Sequence, residues 1–225
     1  MSASGLGFTE KSFELLGALE QRENNNKDWF DEHRPEFEER LLEPFAAMLE
    51  QASERIDGRK IQVQGSRKTM FRMNRDVRFS DDKRPYKHSV SGLMTPSGTK
   101  DEASGVIYAE ISPKGGMLGG GFYKPSTERL NEIRDRIIEE PSRFGKVLDE
   151  LRSNGLDFEE LDPVKTMPRG YSYHSDHEHV EYLRRRNFLI RVDLPKQAWL
   201  DDSIIERLMH HAEACSGMIQ FANAR

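Results

Sequence analysis

Apolar residues recur at spacings of three and four through the first quarter of the chain, then give way to alternation. Phe13, Leu15, Leu16 and Leu19 share one helical face behind Thr9, a residue type suited to an N-cap. Asn24-Asn25-Asn26 interrupts the period. These side chains cap and turn readily, so a second helix is expected from Lys27. Phe37, Leu41, Leu42, Phe45, Met48, Leu49, Ala52 and Ile56 then continue the helical period over several turns. Pro35 is expected in the first turn, where a missing N–H costs nothing, and Pro44 is expected to kink the interior.

From Ile61 the period shortens. Residues 61–64 alternate, 68–73 can be extended, and 90–95 reads as a further strand. Residues 104–111 and 116–123 read as two strands joined by the turn Ser112-Pro113-Lys114-Gly115. Helical spacing returns over 126–140 and over 141–154, the latter stopped by Gly155. A short acidic helix over 176–186, a last strand over 187–194 and a C-terminal helix over 201–221 complete the reading. Strands follow one another from 61 to 123 without intervening helices, which predicts an antiparallel sheet. The expected class is α+β: one domain over 9–225, behind a flexible N-terminus over 1–8, with helices from both ends flanking the sheet.

Composition narrows the class without changing the fold. Charged residues make up 32% and apolar residues 36% of 225 positions, enough periodic apolar surface for one continuous core. Met1–Gly7 carries no apolar stretch of a secretory leader, and no apolar run approaches the roughly 18 residues that span a bilayer. Cys215 is the single cysteine, so no disulfide can form within the chain, which fits a reducing compartment and predicts a cytoplasmic protein.

Charge distribution changes the picture. Between Arg67 and Lys87 stand eight Lys or Arg against three Asp, a net of +5 in a chain whose total is −5. Crowded cations repel unless a partner or solvent relieves them. Arg75, Arg78 and Lys87 can form a fork for phosphate or carboxylate, with Lys83 as a point charge. Asp76, Asp81 and Asp82 can orient those arginines or hold a divalent ion through oxygen. The same residues can equally neutralise one another and pin a loop, with Phe79 and Tyr86 as plugs. Acidity elsewhere makes a nucleic-acid partner less expected than a small anionic ligand. Gly119-Gly120-Gly121 matches no phosphate-loop pattern, and glycine in a strand marks a bulge or a close approach.

Four segments together resemble the family catalogued as domain of unknown function 2461. They are Asn24–Phe30 (NNNKDWF), Arg75–Lys87 (RDVRFSDDKRPYK), Gly119–Pro125 (GGGFYKP), and Pro168–Tyr171 (PRGY) followed by Asp176-His177. The likeness spans nearly the whole chain and departs at Glu178, where family members often carry proline. It implies a soluble single domain and no established activity.

The expected site is a concave surface lined by Arg75, Arg78, Lys83, Tyr86 and Lys87 together with Gly120, Tyr123 and Arg169. Asp76 and His177 are the candidate general bases if the protein is an enzyme, His177 through the resemblance. The alternative is a non-catalytic module that binds nucleic acid or protein through the same patch. His174, His177 and His179 lack the further ligands a zinc site needs, so no metal is expected, and no cofactor is indicated. Cys215, among Ala212, Ala214 and Met218, reads as a core thiol.

Overall fold

The computed structural model describes residues 5–56, 58–101, 103–160, 164–201 and 203–224. Four strands, β1 (Val90–Met94), β2 (Val106–Ser112), β3 (Gly115–Phe122) and β4 (Phe188–Pro195), form one antiparallel sheet in the order β1-β2-β3-β4. Helices α1 (Glu10–Ala18), α2 (Lys27–Phe37) and α3 (Glu43–Arg55) precede it. Helices α4 (Thr127–Glu139) and α5 (Pro141–Ser153), with the short α6 (Val180–Leu183), separate β3 from β4. The short α7 (Gln197–Leu200) and the long α8 (Ser203–Asn223) close the chain. The α+β class and the antiparallel sheet are as the alternation predicts. Among the described residues no helix is long and apolar enough to cross a membrane.

Alternation decides which side of each strand meets the helices. Ile107, Ala109 and Ile111 of β2 pair with Gly120, Leu118 and Gly116 of β3, and all point toward α3, α7 and α8. Val106, Tyr108 and Glu110, with Met117, Gly119 and Gly121, take the opposite side, which no helix covers among the described residues. The covered side is close-packed. A Cβ on Gly120 would stand 2.4 Å from Cys215 Sγ, so α8 lies directly on the strand. The β2–β3 and β3–β4 registers run without a skipped residue, so the glycines mark this approach and not a bulge.

Several expectations are corrected. Pro35 does not sit in a first turn: it lies inside α2, in its last turn. Pro44 is interior to one helical run, as expected, because α2, a π-turn over Glu38–Leu42 and α3 follow without a break, and the π-turn, in which the Glu43 N–H bonds back to Glu38 O, is the irregularity just before the proline. Residues 61–64 and 68–73 form no strand. Their backbone pairs through isolated bridges, Gln64 with Thr95 and Met70 with Gly92, and Arg67–Thr69 is a 3-10 turn. The helix expected over 176–186 is confined to α6. Residues 1–4 of the expected flexible N-terminus, and Asp202 at the expected start of the last helix, lie outside the described residues. Leu6 and Phe8 of that N-terminal stretch are buried, Phe8 edge-on to Trp199.

Candidate functional site

The Arg75–Lys87 segment is built as a ribbon with a loop at its tip. Lys87 N donates to Met73 O and Arg75 N to Pro85 O, both at 2.8 Å, which closes the loop over residues 76–84. Asn25 anchors the ribbon from the first half of the chain. Its buried amide donates to Leu19 O at 2.7 Å and Tyr86 O at 3.0 Å, and its oxygen accepts from Tyr86 N at 3.0 Å. Phe30 stacks on the Tyr86 ring at 4.0 Å. The asparagine run therefore serves the fold: Asn25 holds this ribbon, and Asn26 caps α2 by accepting from Trp29 N.

Within the loop most charge is spent internally. Asp82 accepts from Arg75 Nη1 at 2.7 Å and from Arg84 Nη2 at 2.8 Å, and the Arg84 bonds hold its carboxyl far below the usual range. Arg78 grips Asp76 through Nε and Nη2, Nη2 at 2.7 Å from Oδ2, which lowers the Asp76 pKa. Lys83 Nζ donates to Val77 O at 3.0 Å. A small depression of about 200 Å³ touches Arg75, Asp82, Arg84 and Lys87, yet both arginines there already share Asp82.

Lys87 also reaches the other side of the ribbon, where the uncovered face of the sheet forms a cavity of about 470 Å³. Its floor is Ser91 and Leu93 of β1, Val106 and Tyr108 of β2, Met117 of β3, and Leu189 and Arg191 of β4. Two flanking segments raise its rims. Phe71 N donates to Ser91 O at 2.8 Å along the β1 edge, and Glu159 N donates to Leu189 O at 2.8 Å along the β4 edge. Tyr123, just past the end of β3, closes one end.

The polar groups of this cavity form two sets. Tyr108 Oη donates to Glu110 Oε2 at 2.7 Å, and Ser89 Oγ donates to the same oxygen at 3.2 Å. Burial, then the neighbouring Glu110 charge, pushes the Tyr108 hydroxyl pKa well up, so it stays a neutral donor. Arg191 bonds Asp193 Oδ1 at 2.8 Å and lies 3.7 Å from Glu159 Oε1. Lys87 stands apart from both sets. Its ammonium lies 5.3 Å from the Phe71 ring centre, and among the described residues no carboxylate comes within ion-pairing distance. Burial lowers its pKa, with Glu110 acting in the opposite direction.

The structure thus brings Lys87 and Tyr123 into one cavity and disperses the other expected site residues. Arg75, Arg78 and Lys83 are held inside their loop. Tyr86 is buried against Phe30. Gly120 faces Cys215 on the opposite side of the sheet. Arg169 is exposed and borders none of these cavities. Asp76 is exposed beside Arg78. His177 accepts from His179 N at 3.0 Å, and His179 Nε2 lies 3.0 Å from Pro141 O, so these rings tie the start of α6 to that of α5. Burial, then the His179 ring, lowers the His177 pKa. Among the described residues no three His, Cys, Asp or Glu side chains are grouped to hold a metal.

Tyr108, Glu110, Glu159 and Arg191 are the site residues that sequence reasoning missed. The available signal was alternation: Tyr108 and Glu110 stand two apart, on the side opposite Ile107, Ala109 and Ile111.

Residues 11–221 match the model of a family described as conserved hypothetical protein (DUF2461). No curated protein and no solved structure matches the chain.

Proposed function

Since the chain belongs to DUF2461, a family described only as conserved hypothetical proteins, we propose its function from geometry: the uncovered face of the sheet binds a small anionic ligand with an apolar body. One observation carries the reading. Lys87 is a half-buried ammonium at the wall of a cavity, with no carboxylate within pairing distance among the described residues. A partly desolvated charge without a counter-ion is unfavourable in the empty state and favours an anion that restores the balance. Phe71, Leu93, Val106 and Leu189 supply apolar walls for the rest of the ligand. Lys100, whose ammonium lies 5.7 Å from the Phe71 ring centre, adds positive potential beside the cavity.

A panel of small carboxylates and phosphate esters, screened by thermal shift and followed by calorimetry, tests this. At least one member is expected to raise the melting temperature of the wild type and to lose most of that effect in Lys87→Met. A panel without a stabilising member, or one acting equally on Lys87→Met, overturns the reading.

A second reading, a surface for nucleic acid or a protein partner, is favoured by Phe79. Its side chain is 96% exposed at the tip of the basic loop, with the Arg78 guanidinium 5.7 Å from the ring centre.

A further inference from the structure

Beyond Tyr123 lies a second depression, of about 740 Å³, which shares only that residue with the cavity on the sheet. The turn from β3 to α4 forms one wall with Lys124, α4 forms another with Thr127, Leu130 and Arg134, and Pro168 and Arg186 border the third. Three of these side chains are cationic, and among the described lining residues none is acidic.

Arg134 is the unusual member. Its residue is only 4% exposed, yet among the described residues its guanidinium has no ion-paired carboxylate: it bonds three uncharged oxygens and lies 5.6 Å from the Tyr171 ring centre, with the Asp135 charge acting on it only from a distance. Nε donates to Leu183 O at 2.8 Å, Nη1 to Asn131 Oδ1 at 2.9 Å, and Nη2 to Arg185 O at 3.0 Å. That uses three of five N–H groups, leaving one on each Nη atom without an acceptor among the described residues. The neighbouring Asp135 carboxylate accepts from the Tyr171 hydroxyl at 2.6 Å and makes no ion pair with Arg134. Buried guanidinium groups are normally paired, because desolvation penalises the bare charge.

Lys124 adds an independent observation. Among the described residues it is the one non-glycine residue with positive φ, at +45°. Its amide donates to Asn187 Oδ1, which fixes the turn, and its ammonium lies 5.1 Å from the Tyr123 ring centre. Glycine would adopt this backbone without strain, so lysine here costs stability that a role for its side chain would offset.

We infer that this depression is a second anion site, for the phosphate group of inorganic phosphate or a phosphate ester, with Arg134 and Lys124 as its cations. Two free N–H groups on one guanidinium suit two oxygens of one tetrahedral anion, and a second cation favours a dianion over a carboxylate. The site stands independently of the reading of the sheet's open face, because neither Lys87 nor Tyr108 borders it.

Titrating the full-length protein with inorganic phosphate, phenyl phosphate and acetate at matched ionic strength tests the inference. Phosphate is expected to raise the melting temperature and acetate is not. A stronger response to phenyl phosphate than to inorganic phosphate assigns the site to esters, and the reverse assigns it to the free ion. Lys124→Gly is the deciding variant. It is expected to melt higher than the wild type without ligand, through relief of strain, and to bind phosphate roughly tenfold more weakly. Lys124→Asn, which also tolerates the left-handed backbone, should show the same loss of affinity. Lys87→Met should keep the wild-type response to inorganic phosphate. Absence of stabilisation by either phosphate, or unchanged affinity in both Lys124 variants, overturns the inference and leaves Arg134 as a clamp on the carbonyls of residues 183–185.

Discussion

Strand β3 meets two different environments through one run of glycines. On its covered side Gly120 lets α8 approach until Cys215 and His211 lie against the backbone; a Cβ there would stand 2.8 Å from Cys215 Cβ and 3.4 Å from His211 Nε2. On its uncovered side Gly119 lies between Tyr108 and Leu189, and a Cβ there would meet nothing closer than Tyr108 Cβ at 3.4 Å. Adjacent glycines in sequence thus do separate jobs, one set by packing and one that leaves room above the sheet. The covered side also holds its titratable groups out of water, whereas Lys87 and Arg191 on the other side border open space. The lesson is that a glycine cluster in a strand has to be divided by alternation before any part of it is assigned to a ligand.

The sharpest break of this comparison comes through pH. Burial pushes the His211 pKa from 6.5 down to about 4, against a hydrogen bond to the Gly119 backbone and with His210 assisting. The folded pKa is depressed, so the unfolded chain binds the extra proton between those values. Stability from this group is complete above pH 6.5 and is lost as pH falls toward 4, by about 3 kcal/mol. Urea unfolding at pH 7, 5.5 and 4 should show that loss in the wild type and a flatter profile in His211→Gln. Parallel profiles would place His211 in contact with water.

Packing gives the next largest effect. Gly120→Ala should destabilise the protein by about 2 kcal/mol, because helix and strand must separate to admit the methyl group. Gly119→Ala should raise stability by about 0.5 kcal/mol, the usual gain from replacing a strand glycine that has space around it. Equal effects at the two positions, measured by chemical denaturation, would erase the distinction between the two sides.

Much of the fold was legible because local signals agreed. The alternation of 104–111 and 187–194 places β2 and β4 almost to the residue, and Gly155 follows α5 as a C-terminal glycine should. Pro35 misled because α2 runs through it from Lys27, so a proline expected in a first turn falls in a last one, and nothing local announces the π-turn that carries the helix onward. The candidate site was less legible. Its residues come from four strands and two rim segments, so no single window contains them. The basic segment drew attention through charge density, but sequence does not say which carboxylate neutralises which cation. Asp82 takes Arg75 and Arg84, Asp76 takes Arg78, Lys83 donates to the Val77 carbonyl, and the cation of the motif that borders the cavity is Lys87 at its far end. Arg134 gave no signal at all, since an arginine at helical spacing reads as surface until its neighbours are known.

The smallest effect is expected at Arg78, the residue that looked most like an anion fork. Its side chain is 76% exposed and already holds Asp76 by two nitrogens. Exposed ion pairs add little to stability, because solvent screens them and both side chains lose freedom. Arg78→Lys should therefore leave the melting temperature and the affinity for small anions unchanged. A marked loss of affinity would move the binding site from the sheet to the loop, because lysine keeps the charge but lacks the planar fork. A lower melting temperature would make the Asp76 pair a structural pin of the ribbon. Tolerance of lysine combined with binding that falls steeply with salt would instead favour a nucleic-acid surface around Phe79, through counterion release. Titrations of wild type and Arg78→Lys at two salt concentrations, with melting curves alongside, separate these outcomes. The absence of any change is the result that keeps the uncovered face of the sheet as the site.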